Sequence, residues 1–576
     1  MHTYSKALFV HAGTVDISRD SSKSVALSKP WSPLTLALIV SGWLATAGNV
    51  PLWMALWALP EHNGVRGVLF SAGFAGLIGA AILVLLSLMA WPRVFRLVAS
   101  ALLVTAASST YFMLQYGVVI DASMIANVIH TDVQETRDLL SWSLLLSLVL
   151  VAGVPMIWLW RQRLVVRPLW AQAWRNGLAV LGALAALVLV TLASYQDLAS
   201  LMRNHKVIRY LINPLNVLYG VGKLAVDQVP RAQQVLQPIG EDARLGATYT
   251  GQKKPPLVVL VVGETARAAN FSLGGYSRDT NPELTGLQKA GDLTYYSAVR
   301  SCGTNTQASV PCMFSHMGKS GYESSPQRFE NLMDVLQRAG LAVLWLDNQS
   351  GCKGLCDRIP NAITRTLDVP GLCAEGECFD EVMLQGLDER LAALDPVRRA
   401  RGVVVVMHQM GSHGPAYFRR TPAAFKKFMP ECASNALHDC PREQLVNAFD
   451  NTLVYTDHVL ASTVRWLDQK SRDNQADTAL VYLSDHGESL GENNLYLHGL
   501  PYALAPDFQT HVPMVTWLSG AMQKRMGVHT DCLKLHADAP LKHDNLFHAM
   551  LGLMDVQTGL YKPEMDWFAS CRQAAG

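Results

Sequence analysis

Five stretches of this chain contain no Asp, Glu, Lys or Arg: residues 32–60, 67–92, 97–120, 139–160 and 176–196. Each runs 21 residues or more, and about 20 apolar residues cross a bilayer as a helix. One such run fits a buried helix of a soluble protein. Five in succession predict a membrane domain of five spans. No later stretch resembles them. After about residue 245 the chain reads as an α/β protein, with short buried strands predicted at Leu257–Val262, Val403–Met407 and Leu480–Leu483.

Composition supports this division. Only 16% of the 576 residues are charged and 50% are hydrophobic, whereas soluble proteins carry about 25% charged residues. The formal net charge of +2 provides no global basic field, which argues against a nucleic-acid partner. Lys and Arg in the short flanks set the orientation. Lys6, Arg19, Lys23 and Lys29 precede the first span, Arg93 and Arg96 follow the second, and Arg161, Arg163, Arg167 and Arg175 follow the fourth. The opposite side has only Arg66 and Arg137. Ten against two places the N-terminus in the cytoplasm and everything after residue 197 outside. The first apolar run is too long for a signal-peptide core, so the tail is expected to remain.

The expected organisation is a cytoplasmic tail at 1–31, a transmembrane domain at 32–196, a linker at 197–245 and an external catalytic domain at 246–576. In the linker, Met202–Gly220 mixes bulky apolar residues with Arg203, Lys206 and Arg209, as an interfacial helix would.

Cysteine usage points to the same topology. All ten cysteines fall between Cys302 and Cys571. Cys302/Cys312, Cys352/Cys356, Cys373/Cys378 and Cys432/Cys440 are close pairs, and an oxidising compartment turns such pairs into disulfides. Cys532 and Cys571 remain as a fifth pair. Cys352 and Cys356 also have zinc-ligand spacing, but thiolate zinc sites suit a reducing compartment.

The chemistry-bearing residues follow the predicted strands. Leu257–Val262 runs into Gly263-Glu264-Thr265, Leu480–Leu483 into Ser484-Asp485-His486-Gly487-Glu488, and Val403–Met407 into a segment from His408 to His413; His498 follows later. Ligands of open α/β sheets bind beyond the carboxyl ends of strands. Carboxylates and imidazoles gathered there form a donor set that zinc accepts. Beside such a metal a Thr or Ser hydroxyl becomes a nucleophile. Spacing alone leaves Thr304, Thr306, Ser301 and Thr265 all open for that role.

Four longer motifs carry a resemblance: VVGETARAANFSLGGYSRDTNP at 261–282, SCGTNTQASVPCMFS at 301–315, HQMGSHGPAYFRR at 408–420 and SDHGESLGENNLYLHG at 484–499. The chain resembles the lipid A phosphoethanolamine transferases, colistin-resistance enzymes included, of the alkaline-phosphatase-like superfamily. The resemblance implies five transmembrane helices joined to a periplasmic α/β domain, its central sheet flanked by helices as in alkaline phosphatase and sulfatases. It implies Zn2+ held by Glu264, Thr304, Asp485 and His486, with Thr304 as nucleophile and His413 and His498 contacting phosphate or acting as acid/base. Lys353, and Asn127, Thr131 and Glu135 after the third span, match positions that bind the donor headgroup. At four-residue spacing those last three share one helical face.

The donor so implied is phosphatidylethanolamine, and the acceptor is lipid A of lipopolysaccharide at the bacterial inner membrane. The alternatives are an inner-core sugar acceptor or a non-enzymatic zinc-binding module. A sulfatase is disfavoured, since its Cys-x-Pro-x-Arg signature is absent.

Overall fold

The computed structural model describes residues 30–62, 64–130, 133–232, 234–374 and 376–572. Residues 1–29 of the expected tail, and Thr131, therefore lie outside the described residues. Among the described residues five helices are long and apolar enough to span a membrane: Pro33–Trp57, Gly64–Leu88, Phe95–Tyr116, Trp142–Arg161 and Leu169–Ala193. On the last of them Leu181, Leu189 and Leu192 are exposed, as a face solvated by hydrocarbon requires.

Helix ends depart from the uncharged runs for local reasons. The third run continues to Ile120, but its helix stops at Tyr116 because Gly117 takes a left-handed φ of 67°. A Cβ on Gly117 would lie 2.6 Å from the Asn494 carbonyl oxygen, so only glycine lets the α/β domain approach here. The fourth helix begins at Trp142, where the Ser141 hydroxyl accepts the Leu144 N–H at 3.1 Å. The fifth reaches back to Leu169 and takes Arg175 into its second turn, at a depth where a long cation reaches the headgroups.

The linker is not one helix. It forms Tyr195–Asn204, a 3-10 segment Lys206–Leu211 and Leu215–Ala232. The break has a cause: buried Asn213 donates from Nδ2 to the Ala106 carbonyl at 2.8 Å, and its own N–H donates to Asn49 Oδ1 at 2.8 Å. A buried amide must find such partners, and Asn213 finds them by leaving the helix to bridge two spans. The segment after the third span also divides, into Ala122–His130 and Val133–Leu139. Asn127 lies on the first of these helices and Glu135 on the second.

The α/β domain is built on an eight-stranded sheet. From one edge the order is Leu541–Lys542, Leu293–Arg300, His511–Leu518 and Asp477–Ser484, then Pro256–Gly263, Val403–His408, Ala342–Asp347 and Asn361–Ile363. Only His511–Leu518 runs against its neighbours. The central strand alternates between two cores: Val258, Leu260 and Val262 enter one, Leu257, Val259 and Val261 the other. Burial on both faces explains why this strand reads as continuous Val and Leu. Arg442–Arg472 packs on one face through Leu445, Phe449, Leu453 and Leu460, and Asp544–Leu553 covers the other.

Five disulfides join Cys302–Cys312, Cys352–Cys356, Cys373–Cys378, Cys432–Cys440 and Cys532–Cys571. They account for every cysteine.

Candidate active site and metal-binding residues

Glu264, Asp485 and His486 directly follow the ends of the two adjacent parallel strands Pro256–Gly263 and Asp477–Ser484. Each offers a ligand atom, and the three atoms lie within 4.8 Å of one another. All three side chains are buried. Gly263 must be glycine for this, because a Cβ would sit 2.5 Å from the Tyr482 ring. Thr265 adopts a φ of 61°, strained for a β-branched residue. That turn directs its N–H to Asp485 Oδ1 at 3.1 Å. Gln349 Nε2 donates to Glu264 Oε2 at 3.1 Å.

His486 Nδ1 faces the Gly487 carbonyl at 3.0 Å. A carbonyl only accepts, so Nδ1 carries the proton and Nε2 is left as the ligand atom. Nε2 lies 3.4 Å from Glu264 Oε1 and 3.4 Å from Asp485 Oδ2. Burial, with the Glu264 charge second, pushes the Asp485 carboxyl up to about 7. Burial also works to raise Glu264, but hydrogen bonding and charge from His486 outweigh it and hold that carboxyl well below its usual range. For His486 burial works downward, and the two carboxylates overcome it, raising the imidazole to about 10. Asp485 Oδ2 has no hydrogen-bond partner although buried. An orphaned buried carboxylate oxygen beside a second carboxylate is a site in want of a cation, and the residues present fit zinc.

The hydroxyl that faces both Glu264 and His486 belongs to Thr306. Its Oγ1 lies 3.1 Å from Glu264 Oε2 and 3.4 Å from His486 Nε2. Thr306 opens the helix Thr306–Met313, whose preceding residue Asn305 caps it by accepting the Ala308 N–H. A helix N-terminus favours negative charge on a bound oxygen or phosphoryl group.

Thr304 is placed otherwise, which corrects its assignment as ligand and nucleophile. Its hydroxyl donates to the Leu500 carbonyl at 2.7 Å, and its carbonyl accepts the Gly499 N–H at 2.8 Å. Both bonds tie the loop to the segment carrying His498. Ser301 is engaged within its own turn, donating to the Gly303 carbonyl. The Thr265 hydroxyl donates to Glu264.

The His498 ring lies 4.2 Å from that of His486, tilted by 45°, and the His413 ring lies edge-on 6.0 Å from that of His498, so the three imidazoles are neighbours. Glu488, buried and pushed up to about 8 by burial, lies 3.3 Å from His498 Nδ1. His408 is not among them. It pairs with Asp347 at 3.1 Å inside the sheet. Lys353 donates to the Ser350 hydroxyl at 2.9 Å, and that hydroxyl donates to Gln349, the partner of Glu264. Lys353 lines a cavity of about 830 Å³ together with Ser123 and Ala126 of the helix Ala122–His130, and with Asn305 and Gln307, the neighbours of Thr306.

Sequence reasoning overlooked two residues. Gln349 follows the strand Ala342–Asp347 by two positions, a strand the sequence analysis did not single out. Buried His543 accepts the Cys302 N–H at Nδ1 and donates from Nε2 to the Ser484 carbonyl, joining two motif segments. It had no motif signal.

A sulfatase-type α/β domain carrying a cluster that could hold a metal, joined to five membrane-length helices, defines the class. Residues 256–556 match the sulfatase family. Residues 78–229 match the family described as phosphoethanolamine transferase EptA/EptB. The chain is 40% identical to phosphoethanolamine transferase EptA of Salmonella typhimurium, over 93% of this chain and 96% of that protein. It is 36% identical to phosphatidylethanolamine transferase Mcr-1 of Escherichia coli, over 92% and 97%. Its structure superposes on the integral membrane lipooligosaccharide phosphoethanolamine transferase A of Neisseria meningitidis with a TM-score of 0.88 at 33% identity, covering 94% of this chain and 99% of that one. The chain belongs to the phosphoethanolamine transferase family.

Proposed function

We propose that this transferase moves phosphoethanolamine from phosphatidylethanolamine to a phosphate of lipid A at the bacterial inner membrane, its α/β domain in the periplasm. The observation that carries the reading is the Thr306 hydroxyl set at a helix N-terminus, 3.1 Å from Glu264 Oε2. Zn2+ would be held by Glu264, Asp485, His486 and Thr306. When bound it would lower the hydroxyl pKa and neutralise charge on the transferring group.

Thr306 Oγ1 attacks the donor phosphorus, and its proton leaves toward Glu264, the carboxylate it faces. The bond from phosphorus to the diacylglycerol oxygen breaks, and a histidine of the His413–His498 side supplies a proton to that oxygen. A lipid A phosphate oxygen then attacks the phosphorus of the phosphoethanolamine-threonine ester, giving its proton to that histidine, and Thr306 leaves as it takes its own proton back from Glu264. Lys353 and the 127–135 segment face the donor: Lys353 binds phosphate, Asn127 and Thr131 bond the headgroup, and Glu135 pairs with its ammonium. The added amine offsets negative charge on lipid A and weakens its attraction to cationic peptides such as polymyxins. Mass spectrometry of lipid A from cells expressing the protein tests this reading. The expected result is the added mass of one phosphoethanolamine, absent with Thr306→Ala. Modification of a core sugar alone would overturn the acceptor assignment.

A further inference from the structure

Arg420 ends the motif that carries His413, and its guanidinium makes three bonds in three directions. Nη2 lies 3.2 Å from Asp138 Oδ2, Nη1 lies 2.8 Å from Glu377 Oε2, and Nε donates to the His413 carbonyl at 3.1 Å. Asp138 sits on the helix Val133–Leu139, between the third and fourth membrane helices. Glu377 belongs to the short hairpin closed by Cys373–Cys378. The Asp138 and Arg420 side chains are each only 4% exposed. Arg419 adds a longer contact to Asp138 at 3.5 Å, and Asn435 Nδ2 donates to the Asp138 carbonyl at 2.7 Å.

We propose that Asp138 and Arg420 are positioning residues that register the donor-holding helices of the membrane domain against the His413 loop. This rests on the reading above, in which His413 acts at the transferring group and residues 127–135 hold the donor headgroup. A buried ion pair contributes little net stability, but each partner left alone is an uncompensated buried charge. In this register of the two domains Asp138 takes one arm of the Arg420 guanidinium and Glu377 the other. The same guanidinium fixes the His413 backbone. Asp138 is about one helical turn after Glu135 on the same helix, so a shift of that helix carries Glu135 with it. Lysine cannot replace Arg420, because a single ammonium lacks the planar fork that reaches three acceptors.

The full-length protein in lipid nanodiscs supplies the test, with two donors: fluorescent phosphatidylethanolamine with lipid A as acceptor, and water-soluble bis(p-nitrophenyl) phosphate, a phosphodiester without an ethanolamine headgroup. Asp138→Ala, with Asp138→Asn as the variant of closest shape, should lower kcat/KM for the lipid donor by about tenfold to a hundredfold, the scale of a small misplacement of reactants. Turnover of the soluble ester should stay at the parental rate, because it carries no headgroup for residues 127–135 to hold. Arg420→Ala should lower both activities, since it also releases the His413 loop, and Arg420→Lys should not restore lipid transfer. Hydrogen exchange of Val133–Leu139 should rise in the Asp138 variants. Parental lipid transfer in Asp138→Ala would overturn the proposal, as would an equal loss on both donors in Asp138→Asn at unchanged melting temperature. A parental protein that uses neither donor would instead overturn the functional reading beneath it.

Discussion

The Thr306 hydroxyl lies 3.1 Å from Glu264 Oε2, whereas that of Thr304, two residues earlier, is spent on the Leu500 carbonyl. Thr306→Ala should therefore abolish phosphoethanolamine transfer while leaving the melting temperature near the parental value. Thr304→Ala removes a buried hydrogen bond and leaves the Leu500 carbonyl short of a donor, at a cost of about 1–3 kcal/mol. It should destabilise the protein and reduce transfer without abolishing it, and Thr304→Ser should recover most of both. Transfer assays beside thermal unfolding separate the two threonines. Full activity in Thr306→Ala would return Thr304 to consideration.

The buried Glu264–Asp485–His486 cluster should hold one tightly bound zinc ion in the purified protein. Asp485→Ala and His486→Ala should lose metal and transfer together, by elemental analysis and assay on the same samples. Chelation should inactivate the parental protein, and added Zn2+ should restore it. An Asp485→Ala protein with full zinc content and normal transfer would contradict the ligand set.

Much of the fold was legible because its signals are long. Uncharged runs mark spans, and Val-rich segments such as Val403–His408 mark strands buried on both faces. The segments bearing Glu264, Asp485 and His486 were legible too, since acidic and imidazole side chains directly after buried strands are costly unless they are used. The choice between Thr304 and Thr306 was not. It depends on where one helix begins: Asn305 caps it, so Thr306 becomes the first helical residue and Thr304 stays in the loop. Sequence locates such boundaries only to within a few residues. The broken linker was hidden for a different reason. Asn213 is drawn out of helix by carbonyls on distant spans, and local periodicity does not register such a contact. His543 and Gln349 act through hydrogen bonds beside the site and lie outside the four long motifs.

The Cys302–Cys312 disulfide encloses Thr304, Thr306 and most of the helix that Thr306 opens. Replacing both cysteines by serine should cost about 2–4 kcal/mol at most, because the loop it closes is short. Transfer should fall further than stability implies, since the same loop positions Thr306 against Glu264. Peptide mapping without reductant should recover the 302–312 linkage from the parental protein, and thermal unfolding gives the cost. Free thiols at both positions in the active protein would remove the basis for this expectation.

His543 bridges the loop before Thr306 and the strand that leads to Asp485. Its Nδ1 accepts the Cys302 N–H at 3.0 Å, and its Nε2–H donates to the Ser484 carbonyl at 2.9 Å. Both bonds need the neutral imidazole, and burial lowers its pKa from 6.5 to about 3. The unfolded chain thus binds a proton between those values that the folded chain refuses. The contribution of His543 to stability is fully present above pH 6.5 and is lost progressively as pH falls toward 3. His543→Ala strands a buried N–H and a buried C=O, at about 1–3 kcal/mol each, and should lower transfer by loosening Thr306 relative to Asp485. His543→Gln never acquires the charge, so its melting temperature should fall less steeply than the parental one between pH 7.5 and pH 5, the window below the ordinary histidine pKa of about 6.5. Thermal unfolding of both proteins across that range reads the difference. Parallel curves would show that His543 does not hold its neutral form against the solvent.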